Sequence, residues 1–491
     1  AVQDFPGKPV LLDASQKRSL RKTFFPPLFL LESLTEICPR RASQKTSDAP
    51  PNSNQSPVEM FHTLVNKLAQ ICDHEPKGDT VTALAIICQN GRICYILASN
   101  RRGTGALRSA RASLQAILNI LKNNLEGEKS DSDEVLERRL LYEILFHNAV
   151  RVRSYLTSLS KSLDSCMKKC DERNKTGRSA KEALENLASI LPDTSRDGQK
   201  GVHLDINSTM QCIETINNNR TSPLQNYIGA RAVEDNNLAK GGCWATLQHA
   251  AGRLLSYRYA AQTLVHAHRI WADTELFRDF DIECLRSSNS YPKDALNSKP
   301  ETAQSILNRM PGCSPERREV YKQQAADLQR YNLDARVEQQ WNTKLEPIVH
   351  AEMLLHDWLS RTEGGTQPGR FFQGWQYIGT SKPVCRLCQE YFNVIATPVQ
   401  FRSGHPNLYL NWKLPDMYVD RDDEASAEAA RKAWNRVLDG MKSRIYAMVV
   451  YILKEKVSES KPNDSNTFTD RITGAGDVSH LANWLESVQL K

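Results

Sequence analysis

The sequence predicts an α/β fold that carries a large all-α insertion. Three observations lead there. Two β-rich apolar runs at 80–88 and 92–100 flank Asn90-Gly91, the strongest short hairpin signal. A further short strand pattern, Tyr377 to Ser381, lies nearly three hundred residues later. Between them, from Ala106 to about Leu345, the apolar spacing is almost entirely helical.

Taken in order, residues 1–56 read as a disordered basic and polar N-terminal arm. They hold one short helix near Phe29 to Cys38 and end in a Pro/Ser/Asn-rich linker. Residues 57–103 form the first part of the core. Met60, Leu64, Leu68 and Ile71 recur at helical spacing and precede the hairpin. Residues 104–345 are the helical insertion, far longer than an ordinary loop and without a fixed-period repeat. A Gly/Asn/Asp-rich passage at about 193–242 interrupts its helices. Residues 346–456 complete the core and end in a long helix from Ala425. Residues 457–491 read as a flexible C-terminal tail with a small terminal helix at 477–489, suited to docking.

Composition bounds the function classes. The 491 residues are 40% hydrophobic and 25% charged, ordinary for a water-soluble globular chain. A net charge of +7 spread over this length permits nucleic-acid binding without arguing for it. No apolar run has the length to cross a bilayer, and the N-terminus shows no charged-then-apolar leader. Twelve scattered cysteines lack the spacing of a disulfide scaffold, so a reducing, intracellular compartment (cytoplasmic or nuclear) is expected, with no membrane partner.

The chemistry concentrates in residues 348–388. His350 and Glu352 open one amphipathic helix, and Cys385 and Cys388 open another. Cysteines three apart share a helix face, and a helix N-terminus favours the thiolate. With His350 they make three ligands of the types zinc prefers, leaving a fourth position for water. Glu352 is the natural proton carrier beside that water. His350-x-Glu352 and Cys385-x-x-Cys388 are the only H-x-E and C-x-x-C in the chain, and H-x-E followed by P-C-x-x-C is the zinc deaminase signature. Pro383 stands one place early, with Val384 between it and Cys385. The rival reading is a structural zinc knuckle or a chance pair of buried thiols.

The residues YIGTSK before the cysteines, FRSGH after them and the following NWKLP resemble the fungal deaminase-like proteins of the cytidine deaminase superfamily. The likeness covers about 346–416. It implies a cytidine-deaminase-like helix–sheet–helix core with a Zn2+ cofactor, acting on a nucleobase in a nucleotide or nucleic acid. It also implies that Asn100, at a strand end, contacts ribose or base, the alternative being a plain turn residue before Arg101-Arg102-Gly103; Ser381 is a further candidate for substrate binding. His405, with Tyr409 and Trp412 close behind, is suited to stack on or hydrogen-bond a base, although aromatics on alternating positions ordinarily pack a core. Trp412 reads as structural. His266 and His268, two apart on a helix, diverge; Cys166 and Cys170 share a face but lack a third ligand; Asn219 is a glycosylation acceptor only in a secreted protein. The alternative to an enzyme is a non-catalytic, zinc-stabilised helical scaffold that binds a protein or nucleic acid, its protein partner meeting the insertion.

Overall fold

A computed structural model describes residues 2–38, 55–127, 130–173, 175–192, 204–220, 222–236 and 242–457. The expected C-terminal helix at 477–489 and the linker at 39–54 lie outside these residues. Helices pack on both faces of one mixed sheet, an α/β fold of high helical content.

The sheet is built of β1 (Val2–Gln3), β3 (Thr82–Gln89), β4 (Arg92–Ser99), β5 (Phe280–Leu285), β6 (Tyr377–Thr380) and β7 (Gln400–Phe401), in the order β1-β5-β4-β3-β6-β7. A separate antiparallel pair joins β2 (Lys8–Val10) to β8 (Met417–Val419). The β3–β4 hairpin turns through Asn90 and Gly91 at φ of 50° and 77°. Positive φ at both central residues is what a type I′ turn requires, and it matches the twist of the strands. β6, which leads to the cysteines, pairs antiparallel with β3, Ala83 opposite Thr380. The hairpin and the cysteine segment therefore share one sheet.

Strand alternation divides the interior in two. Leu84, Ile86, Ile93, Tyr95 and Leu97 point into a core formed with helices Pro57–Ile71 and Thr104–Glu126 and the helices between Asp133 and Ile270. Ala83, Ala85, Ile87, Cys94, Ile96 and Ala98 point to the other face. There they meet helices Phe25–Ile37, Ala351–Arg361, Arg386–Ile395 and Glu424–Glu455. Helix Pro57–Ile71 starts at a capping box formed by Ser56 and Glu59. It lies so close to β6 that a Cβ on Gly379 would stand 2.6 Å from the Val65 backbone.

Three expectations are corrected. Residues 2–38 are not an arm. β1 lies parallel to β5, β2 pairs with β8, and helix Phe25–Ile37 buries Phe25, Leu28, Leu30, Leu31 and Leu34. Its run FPPLFLL is apolar all round, the mark of a helix enclosed on every side, and Pro26 and Pro27 occupy first-turn positions where a missing N–H costs nothing. The insertion is not all helical either. β5 alternates Asp281 and Glu283 with buried Ile282 and Cys284 and runs parallel to β4. The passage at 193–242 is not simply irregular, since helices Ile206–Asn218 and Pro223–Asn236 occupy it; residues 193–203 lie outside the description. In the insertion, His268 is buried with Nε2 on the Leu121 carbonyl, and Cys166 is buried beside Cys243. Among the described residues no helix is long and apolar enough to cross a membrane.

Candidate metal centre and active site

Both ligand-bearing helices begin at a ligand. His350 is the N-cap of helix Ala351–Arg361, and Cys385 is the N-cap of helix Arg386–Ile395, each with extended backbone. The two helix starts converge on the site-facing side of the sheet, so their positive dipole ends face one point. His350 Nδ1 lies 3.5 Å from Cys385 Sγ and 3.3 Å from Cys388 Sγ, and the two sulfurs are 3.5 Å apart. This buried His350–Cys385–Cys388 triangle can hold a metal ion, and it is the one group of three such ligands among the described residues.

Glu352 follows on the first turn of the His350 helix and is 4% exposed. Its side chain interacts with Cys388, so it stands beside the ligands. Burial pushes its carboxyl above the ordinary range, against the pull of His350. Burial also works against a charged His350, but the neighbouring Cys385 outweighs it and lifts the imidazole. For Cys385, burial opposes ionisation, yet the hydrogen bond from Cys388 and the charge of His350 hold this thiol well below its usual value. Burial and the adjacent Cys385 raise Cys388 in turn. One thiolate beside one imidazolium is the expected charge state of such a pair when it is metal-free.

The other expected site residues fall around this centre in different ways. Asn100, at the end of β4, accepts from the Ala351 N–H at 2.8 Å and donates to the Gly78 carbonyl at 3.0 Å. Its amide clamps the first turn of the His350 helix. Ser381 continues the β6–β3 pairing: its Oγ accepts from Thr82 N–H and its own N–H donates to the Thr82 carbonyl. His405 is buried, with its N–H on the Val384 carbonyl and Nδ1 accepting from Asn407 N–H. Its ring meets the edge of Tyr409, whose ring lies 6.4 Å from that of His350. Tyr409 is 37% exposed and forms a solvent-facing wall of the site.

Three contacts escaped the sequence reading. The Asn411 backbone stands beside the His350 imidazole and helps to lift it. Trp412 donates its indole N–H to Cys388 Sγ at 3.3 Å, and Met353 brings its sulfur to 3.4 Å from the same atom. An isolated parallel bridge between Ile348 and Trp412 holds the two segments side by side. A backbone group has no sequence signal, and Trp412 stands between polar Asn411 and Lys413 with no spacing that links it to Cys388.

Two comparisons with known proteins found nothing: neither a curated protein nor a solved structure matches the chain. A family model does match over residues 349–416, which hold His350, Glu352, Cys385, Cys388, His405, Tyr409 and Trp412. In that segment the chain is similar to an OTT_1508-like deaminase domain.

Proposed function

We propose that the protein is a zinc-dependent hydrolytic deaminase acting on a nucleobase, within a nucleotide or a nucleic acid. The observation that carries this reading is the buried Glu352 carboxyl touching Cys388 in the ligand triangle, because a purely structural metal site has no use for it.

The donor set fits zinc. Tetrahedral bonds of about 2.3 Å to sulfur and about 2.0–2.1 Å to nitrogen give edges of roughly 3.5–3.8 Å. The present edges of 3.3 to 3.5 Å need only slight opening to match them. His350, Cys385 and Cys388 would hold the ion, which would supply Lewis-acid activation of a water molecule. The imidazole presents Nδ1 to both sulfurs, with the Asn411 backbone beside it, the kind of outer contact that orients metal-bound histidine.

Glu352 carries the protons. It takes one from the attacking water and delivers it to the ring nitrogen of the base. It then takes the remaining proton from the newly formed hydroxyl and gives it to the exocyclic amine, which leaves as ammonia while the carbonyl forms. A carboxyl whose affinity for a proton is raised by burial suits this work, since it must both bind and return one. Tyr409 and His405 offer an aromatic wall to a planar ring. Asn100 steadies the Glu352 turn through Ala351 rather than offering its amide outward. The pairing of β3 with β6 supports assigning 57–103 and 346–456 to one deaminase core.

The test is ammonia release from zinc-loaded protein over a panel of bases, nucleosides and oligonucleotides, with Glu352→Gln beside the parent. Acid–base groups contribute about a hundredfold to ten-thousandfold, so the variant loses at least that order. A metallated parent silent on every substrate, or a variant as active as the parent, turns the reading to the scaffold alternative.

A further inference from the structure

We propose that Trp412 is a positioning residue of the metal centre: its indole N–H is a dedicated hydrogen-bond donor to the Cys388 thiolate and sets how strongly that sulfur donates to the ion. This rests on the metal-site reading above and extends it to a residue outside the ligand set.

The argument begins with burial. Trp412 is 0% exposed and Cys388 is 0% exposed, so neither the indole N–H nor the sulfur has water as an alternative partner. An indole N–H is a donor only, and leaving it unpaired in an apolar core costs on the order of 1–3 kcal/mol. Its acceptor is Cys388 Sγ at 3.3 Å. A Phe would have filled much of this space without that requirement, so the polar atom is aimed rather than incidental.

The ring is also held in place from several directions. It stacks on Phe24 with centroids 5.9 Å apart and meets Tyr391 edge-on at 6.4 Å. The backbone on either side is bonded to the strand leading into His350: Ile348 N–H donates to the Asn411 carbonyl at 3.2 Å, and Lys413 N–H donates to the Ile348 carbonyl at 3.0 Å. Residues 411 and 412 therefore address two ligands at once, the Asn411 backbone for His350 and the Trp412 indole for Cys388. Phe24, from the N-terminal segment, is the outer support of this arrangement.

The two sulfurs are consequently unlike. A hydrogen bond to a thiolate draws electron density from its lone pairs, lowers the energy of those orbitals and weakens donation to a metal. A bound ion is left the stronger Lewis acid for it.

The experiment uses the full chain loaded with cobalt(II). The parent is compared with Trp412→Phe and with the chain in which benzothienylalanine, a ring of nearly the same shape with sulfur in place of N–H, stands at 412. The thiolate-to-cobalt charge-transfer band moves to lower energy in both variants. A band that coincides with the parent's in folded, loaded variants overturns the proposal, because a packing role alone leaves the sulfur's orbital energies unmoved. Should neither variant fold, the parent itself decides. Loaded with cadmium-113 and labelled with 15N-tryptophan, one of its eight indole protons shows scalar coupling to cadmium through the hydrogen bond. No coupling at any of them overturns the proposal. A parent that takes up neither metal overturns the metal-site reading and this inference with it.

Discussion

The two faces of the sheet are built from opposite materials. Toward the helical half, β3 and β4 present Leu84, Ile86, Ile93, Tyr95 and Leu97. Toward the candidate site they present Ala83, Ala85 and Ala98 among Ile87, Cys94 and Ile96. Large side chains on the first face interdigitate with helices Pro57–Ile71 and Cys243–Ile270 and supply apolar burial. Small ones on the second let helix Ala351–Arg361 lie close to the backbone, where the Asn100 amide reaches Ala351 N–H. One face stores stability, and the other sets distances of a few ångströms between His350, Glu352 and two cysteines.

The largest expected break in this division lies where the helical half is tied to the core. Arg151, on helix Ala149–Met167, pairs with Asp73 and donates to its backbone carbonyl at 2.7 Å, both residues buried. Burial disfavours the Asp73 carboxylate, but Arg151 holds it below the ordinary carboxylate range. Arg151→Met leaves that carboxylate buried and unpaired, and chemical denaturation should show a loss of about 3–5 kcal/mol. Leu97→Ala comes next, at about 2–5 kcal/mol for the cavity it opens in the storage face. Metal content of the folded fraction should stay at the parent's level in both. The site face answers differently. Ala85→Leu overpacks the contact with helix Ala351–Arg361 and costs about 1–3 kcal/mol, yet it should reduce bound metal out of proportion to stability. Equal metal loss in Leu97→Ala and Ala85→Leu would show that the faces do not divide the labour.

The smallest effect is electrostatic. Glu32, on helix Phe25–Ile37, has a buried oxygen without a hydrogen-bond partner, and burial together with Glu36 lifts its carboxyl to about 7. The folded chain therefore keeps a proton that the unfolded chain releases near 4.5. The stability tied to that proton is complete below pH 4.5 and is lost as pH rises through 7. Glu32→Gln should raise the melting temperature at pH 8 and leave it unchanged at pH 4.5. A parallel shift at both values would contradict the assignment.

What could be read from the sequence was local. The triangle rests on spacings of two and three residues at two helix starts, and the hairpin rests on one Asn-Gly pair, so short-range rules reached both. What could not be read depended on distant neighbours. β5 alternates cleanly, but six residues framed by long helices carry little weight until β4 is known to lie beside them. Helix Phe25–Ile37 looked like part of an arm because an all-round apolar run has no moment, and only the surrounding helices explain it. Asn100 was placed at the strand end, but the direction of its amide depends on Ala351, which lies 251 residues away. Trp412 looked like packing because no rule of spacing links it to Cys388.

Metal content decides the central claim most directly. The parent, Cys388→Ser and Glu352→Gln are purified in parallel, and zinc per folded chain is measured by elemental analysis. The three-ligand site predicts about one zinc in the parent and in Glu352→Gln, and little in Cys388→Ser. Full occupancy in Cys388→Ser, or a parent without zinc after loading, would contradict the assignment of this centre.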